Sequence, residues 1–270
     1  MSAAPVGIFD SGVGGLSVLR EVRALLPAED LLYVGDSLNA PWGDKPEDFI
    51  RKRSLAIGGF LLERGAKALV FACNTGTAVA VQALRSRFEL PVVAVEPGVK
   101  PAAAITRSGV VAALVTSTMN RSERMASLLD RFGKEVRVIT QPCPGLVELV
   151  EAGDLDGPEV RRLVERYLKP LVADGADTVA LGCTHYPFLL PLLREVAGDG
   201  VTFIDTGAAV ARQLKRVLEE GGLLNASTQP GAESYWTSAD PVRSGRTIAA
   251  LLDRPVPVRK LPEPVQPLLE

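Results

Sequence analysis

The stretch GAKALVFACNT (residues 65–75) is echoed by GADTVALGCTH (residues 175–185). In both, an apolar strand pattern runs from Gly-Ala to a cysteine, Cys73 in the first and Cys183 in the second. Each echo continues through a helix-length segment to an apolar run that ends on an acid and a glycine. These are Glu96 and Gly98 in PVVAVEPG, and Asp205 and Gly207 in VTFIDTG. One thiol at the same point of two related halves predicts a pseudo-symmetric site with a sulfur on each side. Such a site can take a proton from one face of a carbon and return one to the other face.

Other side chains qualify as helpers. His185, the single histidine, stands two residues after Cys183 and reads as an acid-base partner of that thiol. Asp10 closes an apolar strand pattern, where an acid is costly unless paired or functional. Asp36 in YVGDS and Glu96 occupy similar strand ends, with helix capping as the alternative role. The glycine-rich FDSGVGGLS carries Ser17 where a dinucleotide fingerprint needs its third glycine, so its glycines read as close strand-to-helix packing. Cys143, in QPCPG, has no echo and reads as a buried core thiol. One histidine and three cysteines without C-x-x-C spacing do not compose a zinc site, so no metal is expected. A Cys-His hydrolase would leave the second thiol without a role.

The elements that must position these groups are short. Apolar strand patterns cover 6–9, 31–34, 68–72, 92–95, 109–115, 136–139, 178–181 and 201–204. Amphipathic helix patterns cover 15–26, 48–64, 79–88, 122–132, 159–173, 188–196 and 208–220. The alternation predicts an α/β fold, and the near-continuous apolar runs predict mainly parallel sheets covered on both faces. Two repeated halves predict two pseudo-symmetric domains with the active site in the cleft between them. One comprises residues 1–97 plus 208–270, the other residues 98–207, with crossings near 96–100 and 205–208. The carboxyl ends of parallel strands are where ligands bind, and both cysteines fall there, each before a predicted helix start whose free N–H groups favour a thiolate. The tail 254–270, with five prolines, reads as an extended surface segment.

Composition narrows the class. A chain of 270 residues with 47% hydrophobic and 23% charged content can bury two modest cores. A net charge of −2 gives no general pull toward nucleic acid or acidic membranes. No apolar run has the roughly 18 residues of a membrane span, and the start lacks a secretory pattern. An odd number of cysteines, three, argues for free thiols and a cytoplasmic location.

Taken in order, FDSGVGGLSVL, YVGDSLNAPWG, ACNT, VEPG and LGCTHYP resemble the glutamate racemase family of the aspartate/glutamate racemase superfamily, over essentially the whole chain. The resemblance implies a cofactor-independent homodimeric isomerase that interconverts L- and D-glutamate for peptidoglycan, with no nucleic-acid or membrane partner. It makes Cys73 and Cys183 the catalytic thiols, with Asp10, His185 and Glu151 as their assistants. It assigns the substrate to Asp10-Ser11, Pro41-Trp42-Gly43, Asn74-Thr75 and Thr184-His185, with Thr116 and Thr118 for the distal carboxylate. Three departures mark this chain: Trp42 replaces the tyrosine of Pro-Tyr-Gly, Ser37-Leu38-Asn39 replaces Thr-Ala-Arg, and Ala112-Ala113 replaces Gly-Thr. Racemases of aspartate or hydantoins and cis-trans isomerases share the two-cysteine scaffold and are the nearest alternatives. A two-lobed dicarboxylate-binding protein without catalysis would give no reason for two thiols.

Overall fold

The computed structural model describes residues 2–133 and 136–262. The first run of elements is β1 (Val6–Asp10), α1 (Leu16–Leu25), β2 (Leu31–Gly35), α2 (Glu47–Glu63), β3 (Ala68–Phe71), α3 (Asn74–Arg87) and β4 (Val92–Ala94). The second is α4 (Val99–Ile105), β5 (Val110–Val115), α5 (Ser117–Arg121), α6 (Glu123–Phe132), β6 (Arg137–Pro142), α7 (Leu146–Ala152), α8 (Pro158–Ala173), β7 (Thr178–Leu181), α9 (Leu190–Ala197) and β8 (Thr202–Ile204). The chain then returns through α10 (Gly207–Glu220), β9 (Glu233–Thr237), α11 (Pro241–Leu252) and β10 (Val258–Lys260).

Two parallel sheets result, in the orders β10-β9-β2-β1-β3-β4 and β6-β5-β7-β8. Stripped of β9 and β10, the first sheet has the same winding as the second: second strand, first, third, fourth. The repeat seen in the sequence is thus a repeat of topology, with β3 and β7 in matching places. Each winding reverses direction at its first strand, which opens a crevice at the carboxyl ends of β1 and β3, and of β5 and β7.

The apolar strands are covered on both faces, as their composition requires. Val6, Ile8, Ala68 and Val70 face a large core that also takes Ala112, Leu114, Val179 and Leu181 from the second sheet. The alternate residues Phe9, Leu69 and Phe71 face α2 and α3, and Val111, Ala113 and Ala180 face α4 and α6. One core therefore spans both halves, and each half keeps a smaller one on its outer side.

The sequence patterns missed four helices and two strands. Helices α4, α5 and α7 have seven residues or fewer, too short to show a helical period. The 188–196 pattern divides into a 3₁₀ turn at Tyr186–Leu189 followed by α9. Within the tail read as surface, residues 258–260 form the edge strand β10 and Leu261 is fully buried, which corrects that expectation. An edge strand tolerates neighbouring prolines because only one side of its backbone is paired. Residues 263–270 of the same segment lie outside the described residues.

Both echoes begin with the same helix exit. Gly65 and Gly175 have φ of 80° and 90°, and the amides of Ala66 and Ala176 reach back to the carbonyls of Leu61 and Leu171. A Cβ at Gly65 would meet no atom within 4 Å, and one at Gly175 only Val110, at 3.9 Å. The cost of alanine there is therefore the left-handed backbone itself, about 1–2 kcal/mol. Gly65→Ala and Gly175→Ala should each lower the urea midpoint by a similar amount, with the slope of the transition unchanged.

Candidate active site

Strand β3 delivers Cys73 to its carboxyl end and β7 delivers Cys183, and both cysteines line one small cavity between the two sheets. The same cavity is lined by Ser11, Asn74, Thr75, Pro41, Trp42 and Gly43 from the first half. The second half contributes Thr116, Val147, Thr184 and His185. All three cysteines are free and buried.

Cys73 caps α3: its sulfur accepts from the Gly76 amide at 3.3 Å and meets the Ser11 hydroxyl at 3.6 Å. Asp10, fully buried, accepts from the amides of Ser11 and Gly15, both at 2.6 Å. The Thr184 hydroxyl crosses from the second half to donate to the same carboxylate at 3.1 Å. Burial pushes the Asp10 carboxyl up, against the opposing pull of His185. Burial and then the Asp10 charge push the Cys73 thiol well above its usual range. The helix start alone would favour a thiolate, but desolvation wins here, because the amide at the cap is one weak donor against the loss of all water.

Cys183 is served differently. Its sulfur lies 3.7 Å from His185 Nδ1, and His185 Nε2 is 2.7 Å from Glu151 Oε1. Burial disfavours the imidazolium, but the Cys183 and Glu151 contacts at its two ring nitrogens outweigh this and hold His185 well above the usual histidine value. Glu151 Oε1 also accepts from the Val13 amide at 2.6 Å. The backbone under Glu151 is tied to α11, whose Thr247 hydroxyl donates to the Glu151 carbonyl.

The glycine-rich turn owes its composition to these crossings. A Cβ on Gly12 would stand 1.8 Å from Glu151 Oε1, and one on Gly14 would stand 2.3 Å from His185 Nδ1. Strand-to-helix packing accounts for Gly15, which backs on Asp10, Tyr33 and Ala72, but not for Gly12 and Gly14. These two are small because side chains from the other half come against them.

Against this geometry, a model of the family described as Asp/Glu/Hydantoin racemase matches residues 14–214. The chain belongs to this family. It is 58% identical over 260 residues to a glutamate racemase of Pseudomonas paraeruginosa, covering 96% of this chain and 98% of that protein. The identity to a glutamate racemase of Methylococcus capsulatus is 52% over 258 residues, 96% and 95% of the two chains. Among solved structures, a glutamate racemase isoform of Bacillus anthracis superposes with TM-score 0.89 at 29% identity, covering 98% of this chain and 100% of that one. Escherichia coli glutamate racemase, solved with L-glutamate and an activator, gives 0.83 at 35% identity, with 95% and 97% covered.

Three of the expected site residues do not line the cavity. Asp10 reaches it through Ser11 and Cys73, Glu151 through His185, and Thr118 through the Gly43 carbonyl, to which its hydroxyl donates. The Thr116 hydroxyl pairs with Thr75 at 2.8 Å, across the two halves. Trp42 is nearly fully buried among Phe71 and its neighbours, and its indole N–H donates to Asp36. Cys143 is buried, and its thiol donates to the Gln141 carbonyl, in keeping with a core role. Val147 was missed; its only signal was the apolar pattern of LVELV, which says nothing about which side faces a cavity.

Replacing Gly14 by alanine drives a methyl group against the nitrogen that faces Cys183. Gly14→Ala should cut kcat at least tenfold, since sub-ångström misplacement of a proton-transfer partner is costly. Far-UV circular dichroism should remain that of the parent protein.

Proposed function

We propose that the chain is a cofactor-independent glutamate racemase working by two bases, with its substrate in the cavity between Cys73 and Cys183. The observation that carries this reading is the pair of thiols at matching strand ends, each with its own acid-base partner: Asp10 for Cys73, and His185 backed by Glu151 for Cys183. The glutamate racemases among its relatives support glutamate as the substrate. With the two domains taken as residues 1–97 plus 208–270 and residues 98–207, the cleft between them is the site. The same reading makes the protein a cytoplasmic homodimer that supplies D-glutamate for peptidoglycan. No described helix is long and apolar enough to cross a membrane.

The substrate's Cα–H lies between the sulfurs. In the L-to-D direction, Cys183 as thiolate forms an S–H bond while the Cα–H bond breaks, and the electron pair moves into the α-carboxylate. Cys73 then gives its S–H proton to the opposite face and becomes the thiolate. The reverse direction exchanges the two roles. Burial strengthens every fixed dipole that meets the developing charge. Asn74 Oδ1 is buried and accepts no hydrogen bond among the described residues, so it suits the substrate's ammonium group. Thr116 and the Gly43 backbone border the end where the distal carboxylate is held, and Thr118 supports that end through the Gly43 carbonyl.

Purified protein incubated with each enantiomer of glutamate and of aspartate, followed by circular dichroism, tests the reading. Glutamate of either hand should lose its signal to zero. Aspartate should react far more slowly, because a shorter chain leaves buried donors unpaired at about 1–3 kcal/mol each. Equal turnover of aspartate would move the assignment to an aspartate racemase.

Cys73→Ser and Cys183→Ser should each abolish racemisation. Each should still eliminate from a glutamate analogue with a β-leaving group, but only for the enantiomer facing its surviving thiol. Near-normal racemisation by either variant would refute the two-base scheme.

A pH dependence also follows. A thiol whose pKa is raised stays protonated to higher pH, so its base form and the rate that needs it grow as pH rises. With Cys73 as the base for D-glutamate, kcat/KM for that enantiomer should still be climbing at pH 9. A plateau below pH 8 would contradict the buried Cys73–Asp10 pair.

A further inference from the structure

Asp36 directly follows β2 and is fully buried, yet it does not line the cavity. Its carboxylate is among the most heavily bonded in the molecule. Arg53, from α2, donates to it through Nε at 3.0 Å and through Nη2 at 2.7 Å. Asn39 Nδ2 donates at 3.0 Å and Trp42 Nε1 at 3.1 Å, both to Oδ2. Side chains from α2 and from the segment 39–42 therefore meet on one carboxylate.

The link runs on toward the substrate. Trp42 packs edge-on against Phe71 at 6.4 Å and precedes Gly43. The Gly43 carbonyl takes the Thr118 hydroxyl, and a Cβ at Gly43 would stand 3.2 Å from Thr116. Thr116 in turn pairs with Thr75, next to Asn74. The Trp42–Gly43 segment is thus held between the first sheet and α5, at the end of the cavity assigned above to the distal carboxylate.

We propose that Asp36 is a positioning residue: anchored by Arg53, it holds the Trp42 indole and so fixes the Trp42–Gly43 segment against which the distal carboxylate docks. This rests on the glutamate racemase reading for its substrate, though not for the link itself. Asp36 touches neither thiol, so it acts on binding rather than on proton transfer. A ligand contact shared by ground state and transition state changes KM and leaves kcat nearly alone.

The test compares Asp36→Asn, Trp42→Phe and the double variant. Asparagine keeps one acceptor oxygen, for which the charged Arg53 outcompetes the indole. Phenylalanine keeps an aromatic ring and removes only the N–H and the benzo edge, with the Asp36–Arg53 pair left in place. Each single variant should raise KM for glutamate about tenfold, the scale of one hydrogen bond to a charged group, with kcat within about threefold. The double variant should be little worse than either single one, because both break the same link. Multiplying effects, or a fall in kcat at unchanged KM, would overturn the proposal.

A second measurement does not depend on turnover. The chain has two tryptophans, Trp42 and Trp236, hence two indole N–H resonances in an ¹⁵N-labelled sample, and Trp42→Phe assigns them. Asp36→Asn should shift the Trp42 resonance and speed its exchange with water, leaving Trp236 in place. A Trp42 resonance that does not move would sink the proposal even if the wild type racemises glutamate. If the wild type leaves glutamate unchanged, the function reading fails and the indole resonance alone decides the link. Should Asp36→Asn fail to fold, Trp42→Phe alone decides through the split between KM and kcat.

Discussion

The carboxylate of Glu151 is where the two halves of this protein close on each other. Its Oε1 accepts from the Val13 amide in the glycine-rich turn of the first half and faces the His185 imidazole in the second. Around it, the Thr184 hydroxyl donates to Asp10, and Ser17 donates to the Thr184 carbonyl. The helper of each thiol is therefore held partly by the opposite half. A carboxylate withdrawn from water needs its lone pairs taken up, and for Asp10 and Glu151 one of those partners comes from the opposite half. The site and the docking of the halves are one structural problem with one solution.

The same crossing makes the two thiols chemically unlike despite their matching origins. Cys73 sits beside a carboxylate that, as a charge, opposes its ionisation. Cys183 sits beside an imidazole kept ready to be protonated by a second acid behind it. A two-base racemase needs one sulfur carrying a proton and the other free at the start of each turnover. Unlike partners therefore stand on a symmetric scaffold, with the two thiols at equivalent strand ends.

Away from the thiols, the pocket wall is backed by groups that do not line the cavity. The Asp36–Arg53 pair, with Arg53 largely shielded from solvent, sits behind Trp42. Breaking a buried pair costs far more than forming one contributes, because a lone charge is left without water. Such a pair serves better as a fixed point for the loop it holds than as a source of stability. Trp42 then acts as part of the wall's frame, with its one polar atom turned away from the cavity.

Much of this was legible in the sequence, for identifiable reasons. Parallel strands buried on both faces must be apolar throughout, so β1, β3, β5 and β7 show themselves locally. A duplicated segment records its history in residue order, so the matching of Cys73 with Cys183 needs no coordinates. Short motifs at strand ends give Asp10, Asn74-Thr75 and Thr184-His185 for the same reason. The tertiary structure alone decided which side chains cross between halves. That Gly12 and Gly14 make room for Glu151 and His185, that Asn39 and Trp42 share Asp36, and that burial raises Cys73 in spite of its helix start all depend on contacts far apart in sequence. Local pattern fixes what a segment becomes, because backbone geometry and burial act within a few residues. Desolvation and hydrogen-bond partnership are set by whatever the fold brings near, and those terms decide the chemistry of the site.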